Sequence, residues 1–265
     1  MPVAFTSEIV NDTWDAAKYR AALNSKLISI GFRQETASGN EAVFSINAPS
    51  SEAPKDRSYL KYLVEQPSAT NIKIQLWQGD GNNGLTLTPN TIGISSDAIF
   101  NTAVNINYSH NENFQIRWVT FKSDEIALVC ACRSDNNTAL MSLGFIFPAI
   151  KPTWWGSTSL YAFAPNGGDI GRFRVLPGNP MNPSQHDVLF NAESFPVNAN
   201  PGGTRDTLKR LILSSSTGNA ICGQTSSDLG IIAAGGLPHL HQHSIDGQTW
   251  ITVRGGNWSF AVRIA

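Results

Sequence analysis

Apolar residues in the first thirty positions recur at helical spacing, and beyond them at the spacing of strands. Ala16, Tyr19, Leu23, Leu27 and Ile30 fall three and four apart, while Asp15, Lys18, Arg20, Asn24 and Ser25 lie off that stripe. The pattern predicts one long helix from Asp12 to Ile30. Asp12 or Thr13 is its expected N-cap, Asp15 sits in the first turn where the helix dipole favours a negative charge, and Gly31 takes the left-handed conformation that closes it. The apolar stripe of such a helix has to be covered, and the strands that follow supply the cover.

Strand patterns dominate thereafter. Ala42 to Ile46, Tyr59 to Glu65 and Asn71 to Trp77 read as strands, the last alternating Ile72, Ile74 and Leu76 with Lys73, Gln75 and Trp77. The loop Pro49 to Arg57 separates the first two, and the cluster Gly79 to Gly84 reads as a turn rich in positive φ. A short strand is expected at Ala103 to Asn107. Phe114 to Phe121 and Glu125 to Cys132, joined by Lys122-Ser123-Asp124, form the clearest hairpin, followed by Leu140 to Phe147. A helix followed by antiparallel strands predicts an α+β, β-rich fold with the helix packed on a sheet, spanning residues 1–150. Lys151 to Ser159 has the composition of a connection, so residues 151–265 are expected to form a second, sandwich-like β-rich domain with long loops. Its short strands are read at Leu160 to Ala164, Gly171 to Leu176, Val188 to Phe190, Leu208 to Leu213, Ala220 to Cys222, Thr249 to Val253 and Trp258 to Ile264.

Charge changes the picture by its scarcity. Only 15% of the 265 residues are charged, the formal net charge is -1, and no run of Lys or Arg occurs. A nucleic-acid footprint is therefore not expected. A surface polar through Asn, Ser, Thr and Gly has little self-repulsion to keep copies apart, which suits contact with other subunits and equally suits a plain β-rich domain. The opening residues lack a positive stretch followed by an apolar core, and no stretch approaches the length of a membrane span, so folding in a cytoplasm is expected. The three cysteines are an odd number and read as reduced core residues.

The sharpest local cluster is Pro238-His239-Leu240-His241-Gln242-His243. On a strand, His239, His241 and His243 project from one face and converge on a metal, with Zn or Fe as the ions such nitrogens suit. Two histidines from each chain of a trimer would give six nitrogens around one ion. The competing reading is a polar loop whose imidazoles meet water. Trp154 and Trp155, with Tyr161 and Phe163 close behind, form an aromatic cluster that can stack on a glycan, anchor a protein interface or plug a core. Ser184-Gln185-His186-Asp187 holds the residue types of a hydrolytic triad, but adjacency in sequence does not bring them together in space, and no nucleophile elbow is present. Asp80 to Gly84 lacks the register of a calcium loop. No catalytic residue and no cofactor site is assigned, and an enzyme is not expected. A metal-dependent hydrolase built on the three histidines is the enzymatic alternative.

Several stretches together resemble a class of virion structural proteins of tailed bacteriophages. They are the helix pattern Tyr19-Arg20-x-x-Leu23-x-x-x-Leu27-x-x-x-Gly31-Phe32, the strands VFSI, YLKYLVE and IKIQLW, and in the second half LYAFAPNGG, DGQTWITV and SFAVRI. The resemblance implies a non-enzymatic tail or baseplate subunit that assembles with itself and with other virion proteins in the host cytoplasm, without nucleic acid or a membrane span. A tail fibre module that binds a host receptor or glycan is the alternative it leaves.

Overall fold

The computed structural model describes residues 2–47, 57–68, 71–79, 81–88, 100–107, 114–134, 139–147, 149, 160–163, 172–176, 187–190, 207–209, 212–215, 221–232, 240–255 and 258–265. The chain begins with β1 (Ala4–Asp12), α1 (Ala16–Ser29), β2 (Arg33–Ser38) and β3 (Glu41–Asn47). Next come β4 (Arg57–Ser68), β5 (Asn71–Gly79), β6 (Gly81–Asn83), β7 (Thr86–Thr88) and β8 (Phe100–Asn107). Then follow β9 (Phe114–Lys122), β10 (Ile126–Arg133), β11 (Ala139–Ile146), β12 (Leu160–Phe163), β13 (Arg172–Leu176) and β14 (Asp187–Phe190). The rest is β15 (Thr207–Lys209), β16 (Ile212–Ser215), β17 (Ile221–Gln224), β18 (Leu229–Ile232), β19 (His241–Ile245), β20 (Gln248–Gly255) and β21 (Trp258–Arg263).

These strands build three antiparallel sheets and one small hairpin. The central sheet has the order β1-β9-β10-β11-β12-β13-β14-β16-β17, the second β2-β3-β4-β5-β8, the third β15-β18-β21-β20-β19, and β6 pairs with β7 alone. The β-rich, antiparallel character read from the sequence is present. The segment Leu208 to Leu213 divides between two sheets rather than forming one strand. Gly144 of β11 pairs with Phe163 of β12 and Ile146 with Tyr161, so the central sheet continues past position 150, where the sequence suggests a division.

The helix is shorter than its apolar spacing predicts, covering 14 residues rather than the stretch from Asp12 to Ile30. Its start is displaced because residues 4–12 are strand, paired residue for residue with Phe114–Lys122. Asp15, not Asp12 or Thr13, is the N-cap: its carboxylate accepts the Lys18 N–H at 2.7 Å. Trp14, just before the cap, packs edge-on against Tyr19 with ring centroids 6.2 Å apart, an apolar staple across the first turn. At the other end the Phe32 N–H reaches the Leu27 carbonyl and the Gly31 N–H that of Ile28, while Gly31 sits at φ +103°. That is a Schellman closure, and it needs a residue able to take positive φ.

The predicted stripe does what its spacing implies: Ala16, Tyr19, Leu23, Leu27 and Ile30 are all buried. They meet Phe44, Leu60, Tyr62 and Ile74 of the second sheet and Trp118, Val129, Leu143 and Phe145 of the central sheet in one core. The opposite face of the central sheet carries Val119, Phe121, Ile126, Leu128, Cys130 and Cys132 into a second core with Leu229, Ile251, Val253 and Val262 of the third sheet. A Leu side chain taken wholly from water contributes roughly 1.5–3 kcal/mol, so Leu23 and Leu27 alone account for several. Glu125, at the β9–β10 turn, ties these layers by polar bonds. Its carboxylate accepts the Ser226 N–H at 2.8 Å and the Ser226 hydroxyl, and its carbonyl accepts the Phe147 N–H at 2.7 Å.

Gly144 lies opposite Leu128 at φ +153°, and a Cβ there would stand 1.9 Å from the Ala127 carbonyl oxygen. Gly144→Ala is expected to lower the unfolding free energy by more than about 2 kcal/mol, read by urea denaturation. Burial pushes the Cys130 thiol up to about 12 and that of Cys132 up to about 11, from an ordinary 9.0. Burial also raises the phenols of Tyr19 and Tyr62. Above pH 9 the unfolded chain ionises these thiols while the folded chain keeps them protonated. The unfolded state then binds fewer protons, and stability falls as pH rises from 9 towards 12. Urea midpoints at pH 8, 9, 10 and 11 are expected to descend, and Cys130 is expected to resist alkylation until the protein unfolds.

Candidate functional site

A cleft opens where the helix ends. Residues from β1, the α1–β2 link, β2, β3, β4 and the β9–β10 turn enclose about 530 Å³, within the range of small-ligand pockets. Its inner wall is apolar, made by Ile30, Ile46, Ala127 and Phe147, each under 10% exposed. Its rim carries Arg33, Arg57, Lys122 and Asp124.

Each cation is placed by a different element. Arg33 follows directly on the Schellman closure of α1, and Arg57 opens β4 opposite Asn47 of β3. Arg57 Nε donates to Asn47 Oδ1 at 2.9 Å, which fixes the guanidinium plane. Glu35 Oε1 stands 3.6 Å from Arg33 Nε and 3.7 Å from Arg57 Nη1, and it accepts the Ser45 hydroxyl at 2.5 Å. Two guanidiniums therefore share one carboxylate oxygen at ion-pair distance, beyond hydrogen-bond length. Lys122, the last residue of β9, lies over the helix end, its Nζ 3.6 Å from the point where a side chain on Gly31 would begin. The carbonyl end of a helix attracts such a cation. No single stretch of sequence signals this cluster, because its residues come from four separated segments.

The residues singled out in the sequence lie elsewhere. His241 and His243 stand on β19, the edge strand of the third sheet, and project from one face with parallel rings, centroids 6.2 Å apart at 7°. Strand is observed from His241 onward, Leu240 just before it is a turn residue at positive φ, and Asp246-Gly247, both at positive φ, make the two-residue turn into β20. His243 Nδ1 is 3.4 Å from Thr252 Oγ1 and its Nε2 is buried, so His241 is the more accessible of the two rings. His239 lies outside the described residues, as do Trp154, Trp155, Asp80 and the stretch Ser184 to His186. Tyr161 is in β12, its backbone paired with Ile146 and Val175. Among the described residues no group of three or more His, Cys, Asp or Glu is arranged to hold a metal ion, and no helix is long and apolar enough to cross a membrane.

One aromatic position stands out that the sequence reading took only as part of a strand. Trp77 of β5 is half-buried on the face of the second sheet turned away from α1, with Lys61 Nζ 5.1 Å from its ring centroid. Lys61 is itself paired with Glu41 at 3.0 Å. Trp77 and Lys61 share a smaller cavity of about 240 Å³ with Leu85, Thr86 and Leu87 of the β6–β7 hairpin.

No family model matches this chain, and no curated protein matches it either.

Glu35 is the anion that holds the rim together. Glu35→Ala removes a largely buried carboxylate from two guanidiniums and a serine hydroxyl, and is expected to cost roughly 1–2 kcal/mol of stability by urea denaturation.

Proposed function

We propose that this chain is a non-enzymatic structural subunit of a bacteriophage virion, of tail or baseplate type, that assembles with copies of itself and with other virion proteins. The observation that carries the reading is the outer edge of the central sheet. β1 pairs over nine residues with β9 on one side only among the described residues, and most of the strand is exposed. An open edge of that length is a template for a further strand unless charge or proline blocks it. Proline is absent from β1, and its two acids are already engaged by the helix of the same chain: Glu8 with Lys26 and Asp12 with Lys18. Ile9 is 57% exposed on this strand. The resemblance to tail components and the low charge support the same reading. Of the stretches that carry the resemblance, YLKYLVE and IKIQLW are central strands of the second sheet, and DGQTWITV and SFAVRI form the last hairpin.

A receptor- or glycan-binding tail fibre module is the second reading, favoured by the half-buried Trp77 beside its cavity, since an indole ring lining a cavity is a stacking surface for a sugar.

Sedimentation or light scattering across a concentration series tests the first reading. The expected masses are multiples of the 28.7 kDa chain. Ile9→Lys is expected to weaken association by about tenfold, the equivalent of ~1.4 kcal/mol, with the circular dichroism spectrum unchanged. A chain that stays at monomer mass throughout, or that turns over a substrate, overturns the proposal.

A further inference from the structure

We infer that the cleft at the end of α1 is a binding site for a small amphipathic anion: an apolar body carrying one carboxylate or phosphate head. The argument rests on how the cleft is divided. Its inner wall of Ile30, Ile46, Ala127 and Phe147 presents apolar side chains, with Ser45 and Asn47 beside them on β3, so the body of a ligand placed against that wall leaves water for an apolar surface. Its rim is unusually cationic for this chain, with three Lys or Arg among thirteen lining residues against 19 in 265 overall.

The rim cations also keep donors in reserve. Among the described residues Glu35 is the one carboxylate within ion-pair distance of Arg33 and Arg57, and neither contact reaches hydrogen-bond length. The Nε of Arg57 is committed to Asn47, which turns its Nη fork, the part whose geometry matches a carboxylate or phosphate, into a preset donor. Lys122 makes no ion pair among the described residues and adds a point charge from the opposite wall. Counting Arg33, Arg57 and Lys122 against Glu35 and Asp124, the described residues at the rim carry an excess of one positive charge at neutral pH. A monoanionic head balances that excess. A cationic head adds to the excess, and a neutral head such as a hydroxyl leaves it unbalanced and offers the guanidinium forks a single uncharged acceptor. The cleft meets β1 at Ala4, opposite Lys122, whereas Ile9 lies further along the same strand pair opposite Arg117, so variants at the cleft and at Ile9 test the two proposals separately.

Calorimetry or protein-observed NMR with three matched probes tests this: 4-phenylbutyrate, 4-phenylbutyl phosphate and 4-phenyl-1-butanol. The expected result is saturable binding of at least one anion in the millimolar range or tighter, as suits a ligand of this size. The anion is expected to bind about tenfold tighter than the alcohol and to weaken as salt screens the rim. Which anion binds more tightly assigns the head as carboxylate or phosphate. Lys122→Gln, at an exposed position, and Arg57→Gln are each expected to lower the anion's affinity several-fold without changing that of the alcohol. Equal binding of anion and alcohol, anion binding unaffected by Lys122→Gln in a folded protein, or inorganic phosphate binding as tightly as the phosphate ester overturns the inference. So does the absence of saturable binding by either anion.

Discussion

The structure depends on a strand that has no wet side. All seven residues from Ile126 to Cys132 are buried, because β10 sits in the central sheet between two cores. Ala127, Val129 and Ala131 face the helix and second sheet, while Ile126, Leu128, Cys130 and Cys132 face the third sheet. The two faces are filled differently. Towards α1, which packs against β10, the strand offers two alanines where the helix brings Tyr19, Leu23 and Leu27. Small opposite large lets the helix approach, and Gly144 on the neighbouring strand lets backbone approach backbone at Ala127. The side towards the third sheet is filled by branched side chains and thiols, whose burial leaves them protonated and unreactive.

This layering also explains the cleft. A helix of 14 residues spans only part of the gap between the central and second sheets, and where it ends at Gly31 the two sheets continue without it. The residues beyond the helix end, Ile46 and Phe147 among them, keep their inward apolar faces but lose the helix that would cover them. Charged residues that sit harmlessly at strand ends, Arg33, Arg57 and Lys122, are thereby brought around one opening. A binding site of this kind is a consequence of element lengths, which is why no motif in the chain marks it.

How much of this was legible in the sequence follows from burial. The helix stripe and the strands β3, β4, β5, β9, β10 and β11 were readable because each has at least one face wholly inside, and that fixes the apolar period. Of the strands that escaped, β1 and β2 border sheets, β6 and β7 pair only with each other among the described residues, and β18 lies inside the third sheet but is only four residues long. An edge strand such as Arg33–Ser38 meets water on much of its surface, so its sequence owes little to the core and reads as loop, and the equally exposed His241–Ile245 leaves strand and loop both open. The helix start was misplaced for a related reason. Asp12, Thr13 and Asp15 are all good caps, and only the pairing of β1 with β9, a contact across more than a hundred residues, decides among them. The candidate site was not legible at all, since its cations belong to segments that only the fold brings together, while the histidine cluster that caught the eye in sequence brings two rings together on an outer edge.

The scarcity of charge gains meaning from where the charges stand. Glu8 with Lys26 joins the central sheet to the helix, Arg20 with Asn40 joins the helix to the β2–β3 turn, and Glu125 with Ser226 joins the central sheet to the third. Arg263 with Asp228 closes the last strand onto the loop before β18. In each case a polar pair spans a seam between elements that apolar contact alone leaves free to slide. The exposed ones among these, Glu8 with Lys26 and Arg20 with Asn40, add little stability but set orientation, while Arg263 with Asp228 is largely covered. Charges used at internal seams are not available to guard strand edges, and the edge of β1 is left with its acids already neutralised by its own helix. The same economy that fixes the layers within one chain thus leaves β1, the longest edge strand among the described residues, with a partner on one side only among those residues and no free acid to guard it.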